Sequence, residues 1–182
     1  MTSYIFGFGS LMNKLSAEKA LKRTLGDDDL KLTKLNGYER KWTLKEKVYS
    51  QQLGKIIDAV FLDIEPHLAK SVNGVLIEVT EIEINRLKQR EKNYHFVEVT
   101  SGIVANLPSK SNVYTFVAKN EYKAKQDDDV YVMEGYTKIM KYACEEYGDQ
   151  FSKEYEESTY HHNFRVISGE YQFVDIQQAN FV

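Results

Sequence analysis

Runs of β-favouring residues recur along the chain, and in several of them apolar and polar positions alternate with a period of two. Such alternation is typical of a strand with one face in the core and the other toward water. The pattern therefore predicts a sheet in which several strands follow one another directly. The predicted strands cover residues 4–10, 37–43, 55–63, 73–79, 96–99, 113–117 and 170–176.

Apolar residues at a period of 3.6 predict helices between these strands. The predicted helices cover residues 17–25, 80–91, 130–147 and 149–157. Ser16 is the candidate N-cap of the first and Gly26 its stop, while Thr80 and Glu83 have the spacing of a capping box. Because helices interrupt the strands at only three places, a doubly wound parallel sheet is not favoured. We expect one α+β domain over residues 1–182, with a mostly antiparallel or mixed sheet that curls toward a small barrel.

Composition narrows the function classes. The 182 residues are 42% hydrophobic, enough for one core, and 24 basic against 27 acidic residues give a net charge of −3. Nucleic acid is therefore not an expected partner. Apolar runs are too short to cross a bilayer, so no membrane partner is expected. The single cysteine, Cys144, cannot form an intrachain disulfide, and a cytoplasmic location is predicted.

Glu91 is the candidate acid/base residue of the predicted helix 80–91. Ile84, Leu87 and Glu91 lie at i, i+3 and i+7 on one face, whereas polar residues such as Arg90 lie mostly away from it. An ionised carboxylate on a buried face is costly and tends to have a raised pKa, which suits proton transfer. From the pattern alone, a Glu91 that reaches solvent or contacts a neighbouring arginine at the last turn is the favoured explanation.

A glycine-containing turn, residues 7–12, follows the first predicted strand. It is not a dinucleotide fingerprint, because Met12 stands where Gly or Ala is needed, and it lacks the Gly-Lys-Ser/Thr ending of a P-loop. Gly9 lets the backbone approach a ligand, and the N–H groups of Gly9, Ser10 and Leu11 can form a concavity for an anion such as a carboxylate. Glycines that only permit a tight turn explain this motif as well.

Other reactive side chains have simpler explanations. His161 and His162 are adjacent on an extended segment and point to opposite faces, with no ligand spacing nearby, so surface histidines are expected. Cys144 falls within a helical apolar stripe and is expected in the core. Ser10 lacks the Gly-x-Ser-x-Gly elbow of a nucleophilic serine.

Three segments in this order resemble the gamma-glutamylcyclotransferase-like family: residues 4–11 (YIFGFGSL), 72–79 (VNGVLIEV) and 87–99 (LKQREKNYHFVEV). That family has a Tyr-Gly-Ser-(Leu/Asn) turn after its first strand. A Gly-Val-Leu-(Phe/Tyr/Ile)-Glu-(Leu/Val) strand and a helix ending in Arg/Lys-Glu, then Tyr and Val, follow. Two positions differ, because Phe8 stands where Tyr is usual and Lys92 stands where Gly is common.

The resemblance implies a small mixed β-barrel with flanking helices and a pocket between the turn and the helix end. It also implies a reaction in which the α-amine of a gamma-glutamyl group attacks its own side-chain carbonyl and releases 5-oxoproline and an amine. Glu91 is then the expected general acid/base. A gamma-glutamyl small molecule is the expected partner, with no metal or organic cofactor. The residues expected to bind substrate are Phe8, Gly9, Ser10, Leu11, Tyr94 and Tyr136.

Two other functions would use the same pocket. The protein can be a binding module for a carboxylate-bearing metabolite or a peptide end, without turnover. A different transfer or hydrolysis on the same scaffold is the third possibility. The sequence leaves open the amine that leaves, the oligomeric state and the pathway.

Overall fold

The computed structural model describes residues 2–125 and 128–179. Within these ranges the strands are β1 (Thr2–Gly7), β2 (Lys31–Ser50), β3 (Lys55–Val79), β4 (Tyr94–Glu98), β5 (Ser111–Ala118), β6 (Val130–Met133), β7 (Arg165–Ile167) and β8 (Tyr171–Phe173). The α-helices are α1 (Lys14–Leu21), α2 (Glu81–Arg90), α3 (Glu134–Tyr147), α4 (Asp149–Ser158) and α5 (Ile176–Ala179). A short 3-10 helix, Ser10–Met12, joins β1 to α1.

The strands form one mixed sheet in the order β4, β5, β1, β3, β2, β8, and β6 pairs with both β3 and β7. β1 runs antiparallel to β3 and parallel to β5, so the sheet is mixed as expected. The α+β class is confirmed. Among the described residues no pairing joins β4 to β8, and the closed barrel stays a prediction.

β2 and β3 are longer than the sequence pattern indicates. The separate strands predicted at 55–63 and 73–79 are parts of β3, which pairs along most of its length with β2. The pairing is interrupted at Gly37, which has a φ of +84° and no partner on β3. On the opposite strand, residues 67–70 have no β2 partner and are exposed.

Helix α2 begins as predicted. The Thr80 hydroxyl accepts a hydrogen bond from the Glu83 N–H at 3.3 Å, and the Glu83 carboxylate accepts one from the Thr80 N–H at 2.8 Å. This capping box fixes where the helix starts. Ile84 and Leu87 are buried, so the predicted apolar face is the core face, and the helix ends with Glu91 as its C-cap.

Three helix boundaries differ from the prediction. Asn13, not Ser16, is the N-cap of α1, because its side chain accepts from the Ser16 N–H at 3.1 Å. The helix ends at Lys22 in a left-handed conformation, four residues before Gly26. Residues 130–133 are strand β6, since they pair with β3 and β7 before α3 begins.

The C-terminal segment also departs from the expected single strand at 170–176. Only Tyr171–Phe173 pairs, with the end of β2, and α5 follows after a bend. No helix in the described part of the chain is both long enough and apolar enough to cross a membrane.

Candidate active site

The turn after β1 is held by close packing. A Cβ atom at Gly7 would lie 2.8 Å from the Leu11 Cβ, and one at Gly9 would lie 3.0 Å from the Tyr136 hydroxyl oxygen. No hydrogen bond joins the backbone N–H of Gly9, Ser10 or Leu11 to another described residue. These three N–H groups are therefore unpaired among the described residues, which is one requirement of an anion-binding concavity.

The end of α2 lies against this turn. The Arg90 guanidinium donates a hydrogen bond from Nη2 to the Ser10 Oγ at 3.0 Å, so two segments eighty residues apart are in direct contact. Glu91 follows as the C-cap, and its N–H donates to the Leu87 carbonyl at 2.8 Å. The helix end thus fixes the backbone of the candidate acid/base residue beside the loop.

The Glu91 side chain is only 18% exposed. Within the described residues no hydrogen bond reaches its carboxylate, and its nearest cation is Arg90, with Nε 3.5 Å from Oε1. Burial raises the pKa of Glu91 above its ordinary value, and the Arg90 charge opposes that rise. A raised pKa makes the carboxylate a stronger base, as general acid/base catalysis requires.

Two adjoining pockets meet at this carboxylate. The smaller has a volume of about 370 Å³ and the larger about 750 Å³, and both values include solvent-filled space at the open mouths. Residues that line both pockets are Ser10, Glu91, Tyr94 and Tyr136. The smaller pocket is also lined by Phe8, Gly9 and Leu11. The structure thus brings together all seven residues that the sequence analysis selected.

The two tyrosines differ in what their hydroxyl groups do. The Tyr94 hydroxyl donates to the Leu62 carbonyl at 3.0 Å. The Tyr136 hydroxyl lies beside Gly9 and the Leu62 backbone, and its ring packs edge-on against Phe61 with the ring centroids 4.9 Å apart. Burial raises the pKa of both hydroxyls, so both stay protonated and can act as donors.

The larger pocket contains residues that the sequence analysis did not select. A second carboxylate, Glu46, is 8% exposed and accepts hydrogen bonds from Asn93 at 2.7 Å and Gln178 at 3.0 Å. Burial raises the pKa of Glu46, and these two hydrogen bonds oppose the rise. Leu44, Glu46 and Val48 occupy every second position of β2 and face inward. The alternation along this strand could therefore have indicated that the Glu46 side chain is buried.

The C-terminal segment forms another wall of the larger pocket. Tyr171, Phe173 and Gln178 line it, together with Phe61 of β3. The alternation of Tyr171 and Phe173 predicts that they share a face, but no local pattern indicates that this face covers a pocket. Arg90 was also missed, since the helix pattern placed it away from the core face.

No protein-family model matches this sequence, and no curated protein does. Solved structures do match. A gamma-glutamyl cyclotransferase has a TM-score of 0.62 at 13% identity over 92% of this chain and 94% of that chain. An uncharacterized protein from Homo sapiens has a TM-score of 0.59 at 13% identity over 93% of this chain and 94% of that chain.

YkqA from Bacillus subtilis has a TM-score of 0.57 at 19% identity, and the match covers 86% of this chain. It covers 52% of YkqA, so this chain spans about half the length of that protein. Identities this low establish the shared architecture alone. The chain therefore has a gamma-glutamyl cyclotransferase-like fold.

Proposed function

We propose that the protein is a cyclotransferase that converts a gamma-glutamyl amine or peptide into 5-oxoproline and a free amine. The observation that carries the proposal is the Glu91 carboxylate, which is only 18% exposed, accepts no hydrogen bond from the described residues, and lines the same pocket as residues 9–11, whose N–H groups have no acceptor among the described residues. The gamma-glutamyl cyclotransferase-like fold supports the same chemistry.

The reaction needs one group that first accepts and then donates a proton. The substrate α-ammonium loses one proton to solvent, and Glu91 accepts a second as the nitrogen attacks the γ-carbonyl carbon. The new C–N bond closes the five-membered ring, and the bond between that carbon and the leaving nitrogen breaks. Glu91 then donates its proton to the leaving nitrogen, which departs as a neutral amine and takes up a proton from water.

Ring closure depends on holding the gamma-glutamyl chain in a bent conformation. In this proposal the N–H groups of Gly9, Ser10 and Leu11 bind the gamma-glutamyl end, and Phe8 supplies an apolar wall. The Tyr136 hydroxyl, beside Gly9, donates a hydrogen bond to the substrate, while Tyr94 contributes its ring. Each of these groups lines the smaller pocket, which Glu91 borders.

The test is to incubate the purified protein with gamma-glutamyl dipeptides and with glutathione and to measure 5-oxoproline. We expect product from the wild type and not from Glu91→Gln. Glu81→Gln is the matched control, because it removes a carboxylate from the exposed first turn of the same helix. Saturable binding without product in the wild type would instead identify a binding module, and substrate loss without 5-oxoproline would identify a different transfer or hydrolysis.

A further inference from the structure

The C-terminal segment, residues 174–179, lies between two cavities. One is the larger pocket, and the other is a third cavity of about 900 Å³, a value that includes solvent-filled space at its mouth. Glu46 and Gln178 line both cavities, and the Gln178 side chain donates a hydrogen bond to the Glu46 carboxylate at 3.0 Å. The segment that carries Gln178 therefore forms part of the wall that separates them.

Two polar contacts join this segment to the rest of the wall. The first is the hydrogen bond from Gln178, which is 7% exposed, and the second is an ion pair between Asp175 and Lys92, the residue after Glu91. The side chains of Lys92 and Asp175 are 37% and 34% exposed, so the ion pair adds little to stability and opens readily. Glycine, which is common at the position of Lys92 in the family that the sequence resembles, has no side chain to form this pair.

The wall on the far side of these contacts is firmly held. The Lys92 carbonyl accepts a hydrogen bond from the Lys119 ammonium at 2.7 Å, and the Asn93 carbonyl accepts one from the Lys119 N–H at 3.0 Å. The Asn93 side chain in turn donates to Glu46 at 2.7 Å. Lys92, Asn93 and Glu46 thus form a fixed support, tied to the residue that follows β5.

The C-terminal segment itself is held less firmly. Strand β8 ends at Phe173, and the Val174 N–H donates to the Lys47 carbonyl at 3.1 Å. Among the described residues, no backbone hydrogen bond joins residues 175–179 to another element. Val174 and Ile176 are 44% and 77% exposed, so these apolar side chains add little burial. Segments with few buried apolar contacts and no backbone pairing open at low cost in free energy.

We propose that residues 174–179 are a lid on the larger pocket, held closed by the contacts Lys92–Asp175 and Glu46–Gln178. When both contacts open, the larger pocket joins the third cavity, and a ligand gains a second route in or out. The inference concerns access to the pocket, so it applies to an enzyme and to a binding module alike.

The test measures how fast iodoacetamide reaches a cysteine placed in the larger pocket. In a Cys144→Ala background, which removes the natural cysteine, Leu44→Cys places a thiol at a buried position of β2 that lines this pocket. Leu35→Cys is the matched control, because Leu35 is fully buried on the same strand and lines none of the three cavities. Mass spectrometry gives the labelling rate of each protein.

Asp175→Asn combined with Gln178→Ala should speed the labelling of Leu44→Cys by roughly tenfold, because an exposed ion pair and a hydrogen bond each contribute severalfold. Labelling of Leu35→Cys should change by less than about twofold, because opening of the lid does not uncover it. The charge swap Lys92→Asp with Asp175→Lys should keep the Leu44→Cys rate within about twofold of the unswapped protein. An unchanged rate in the double variant, or an equal increase at both cysteines, would overturn the proposal.

Hydrogen exchange gives a second test that needs no substitution in the core. In the double variant the amides of residues 174–179 should exchange faster than in the wild type, while those of α2 should keep their protection. Unchanged exchange at residues 174–179 would overturn the proposal. Faster exchange in both segments would overturn it as well, since it would show a general loss of stability.

Discussion

Asp63 and Glu91 are both buried carboxylates, but their surroundings are opposite. Asp63, in β3, is fully buried and accepts hydrogen bonds from the Ala118 N–H at 2.8 Å and the Thr43 hydroxyl at 3.1 Å. The Lys123 ammonium lies 3.3 Å from it. Glu91 has one cation at 3.5 Å and no hydrogen-bond donor among the described residues. Burial raises the pKa of both groups.

The difference shows how a structural carboxylate can be told from one available for chemistry. The partners of Asp63 come from β2, from β5 and from the segment after β5, so this side chain ties separate parts of the fold together. Its lone pairs are occupied by the protein itself. The Glu91 carboxylate instead accepts no hydrogen bond from the described residues, and Glu91 lines both pockets.

The largest effect is expected from Glu91→Gln. General acid/base catalysis contributes about 10²- to 10⁴-fold, so 5-oxoproline formation should fall by that factor. The free energy of unfolding should change by less than about 1 kcal/mol, because no hydrogen bond of the described protein is lost. Steady-state kinetics and urea unfolding measure the two quantities. A stability loss as large as that of the Asp63 variant would contradict the comparison.

The next largest effect is expected from Asp63→Ala. This change leaves the buried Ala118 N–H without its acceptor, which costs about 1–3 kcal/mol of unfolding free energy, while Lys123 keeps its pair with Glu65 at 2.6 Å. Asp58→Ala is the control on the same strand. Its pair with Lys47 is far more exposed, so its loss should cost less than about 1 kcal/mol. Similar losses in both variants would refute the structural role of Asp63.

A smaller effect separates the two tyrosines. Tyr94→Phe removes the hydrogen bond to the Leu62 carbonyl and should cost about 1 kcal/mol of stability, with little change in turnover. Tyr136→Phe removes a hydroxyl beside Gly9 and should lower kcat/KM by roughly tenfold, since about 1.4 kcal/mol of transition-state binding corresponds to that factor. An activity loss in Tyr94→Phe together with a stability loss in Tyr136→Phe would contradict this distinction.

The smallest effect concerns the pH dependence of stability. Because the folded-state pKa of Glu91 is raised above the ordinary value of 4.5, the native state binds its proton more tightly than the unfolded state. The contribution of the Glu91 carboxyl group to the free energy of unfolding of the wild type is therefore fully present below pH 4.5. It is lost as the pH rises through the folded-state pKa.

Glu91→Gln lacks this titration. Its stability relative to the wild type should therefore increase as the pH rises through the same window and level off above it. Thermal unfolding across this range measures the difference, and Glu81→Gln, at an exposed position, is the control that should follow the wild type. A constant difference at every pH would show that the Glu91 carboxyl is not perturbed.

Local patterns predicted those parts of the fold and of the candidate site that depend on neighbouring residues. The capping box at Thr80 and Glu83 fixed the start of α2, and its apolar period placed Glu91 on the inward side of the helix end. The apolar pattern predicted the wrong element where pairing with distant residues decides the conformation. Val130–Met133 continues the apolar spacing of α3, but its backbone groups pair with β3 and β7 instead.

The same limit explains the pocket residues that were missed. Glu46 is one of the inward-facing residues that alternate along β2. Its surroundings, however, depend on the pairing of β2 with β3 and on Gln178, which donates a hydrogen bond to it from the C-terminal segment. Arg90 lies off the apolar face of its helix, and only its contact with Ser10 shows that it borders the pocket.

The sequence by itself determined the helix that ends at Glu91, the glycine turn and the α+β class. It also selected the seven candidate residues, whose roles stay a prediction. The tertiary structure decided that the turn and the helix end touch, that the C-terminal segment covers the larger pocket, and which polar groups lack partners. The physical reason is the distance along the chain over which each effect acts. Helix caps and apolar periods depend on residues a few positions apart, whereas burial from solvent and the lack of a hydrogen-bond partner depend on segments that are distant in the chain.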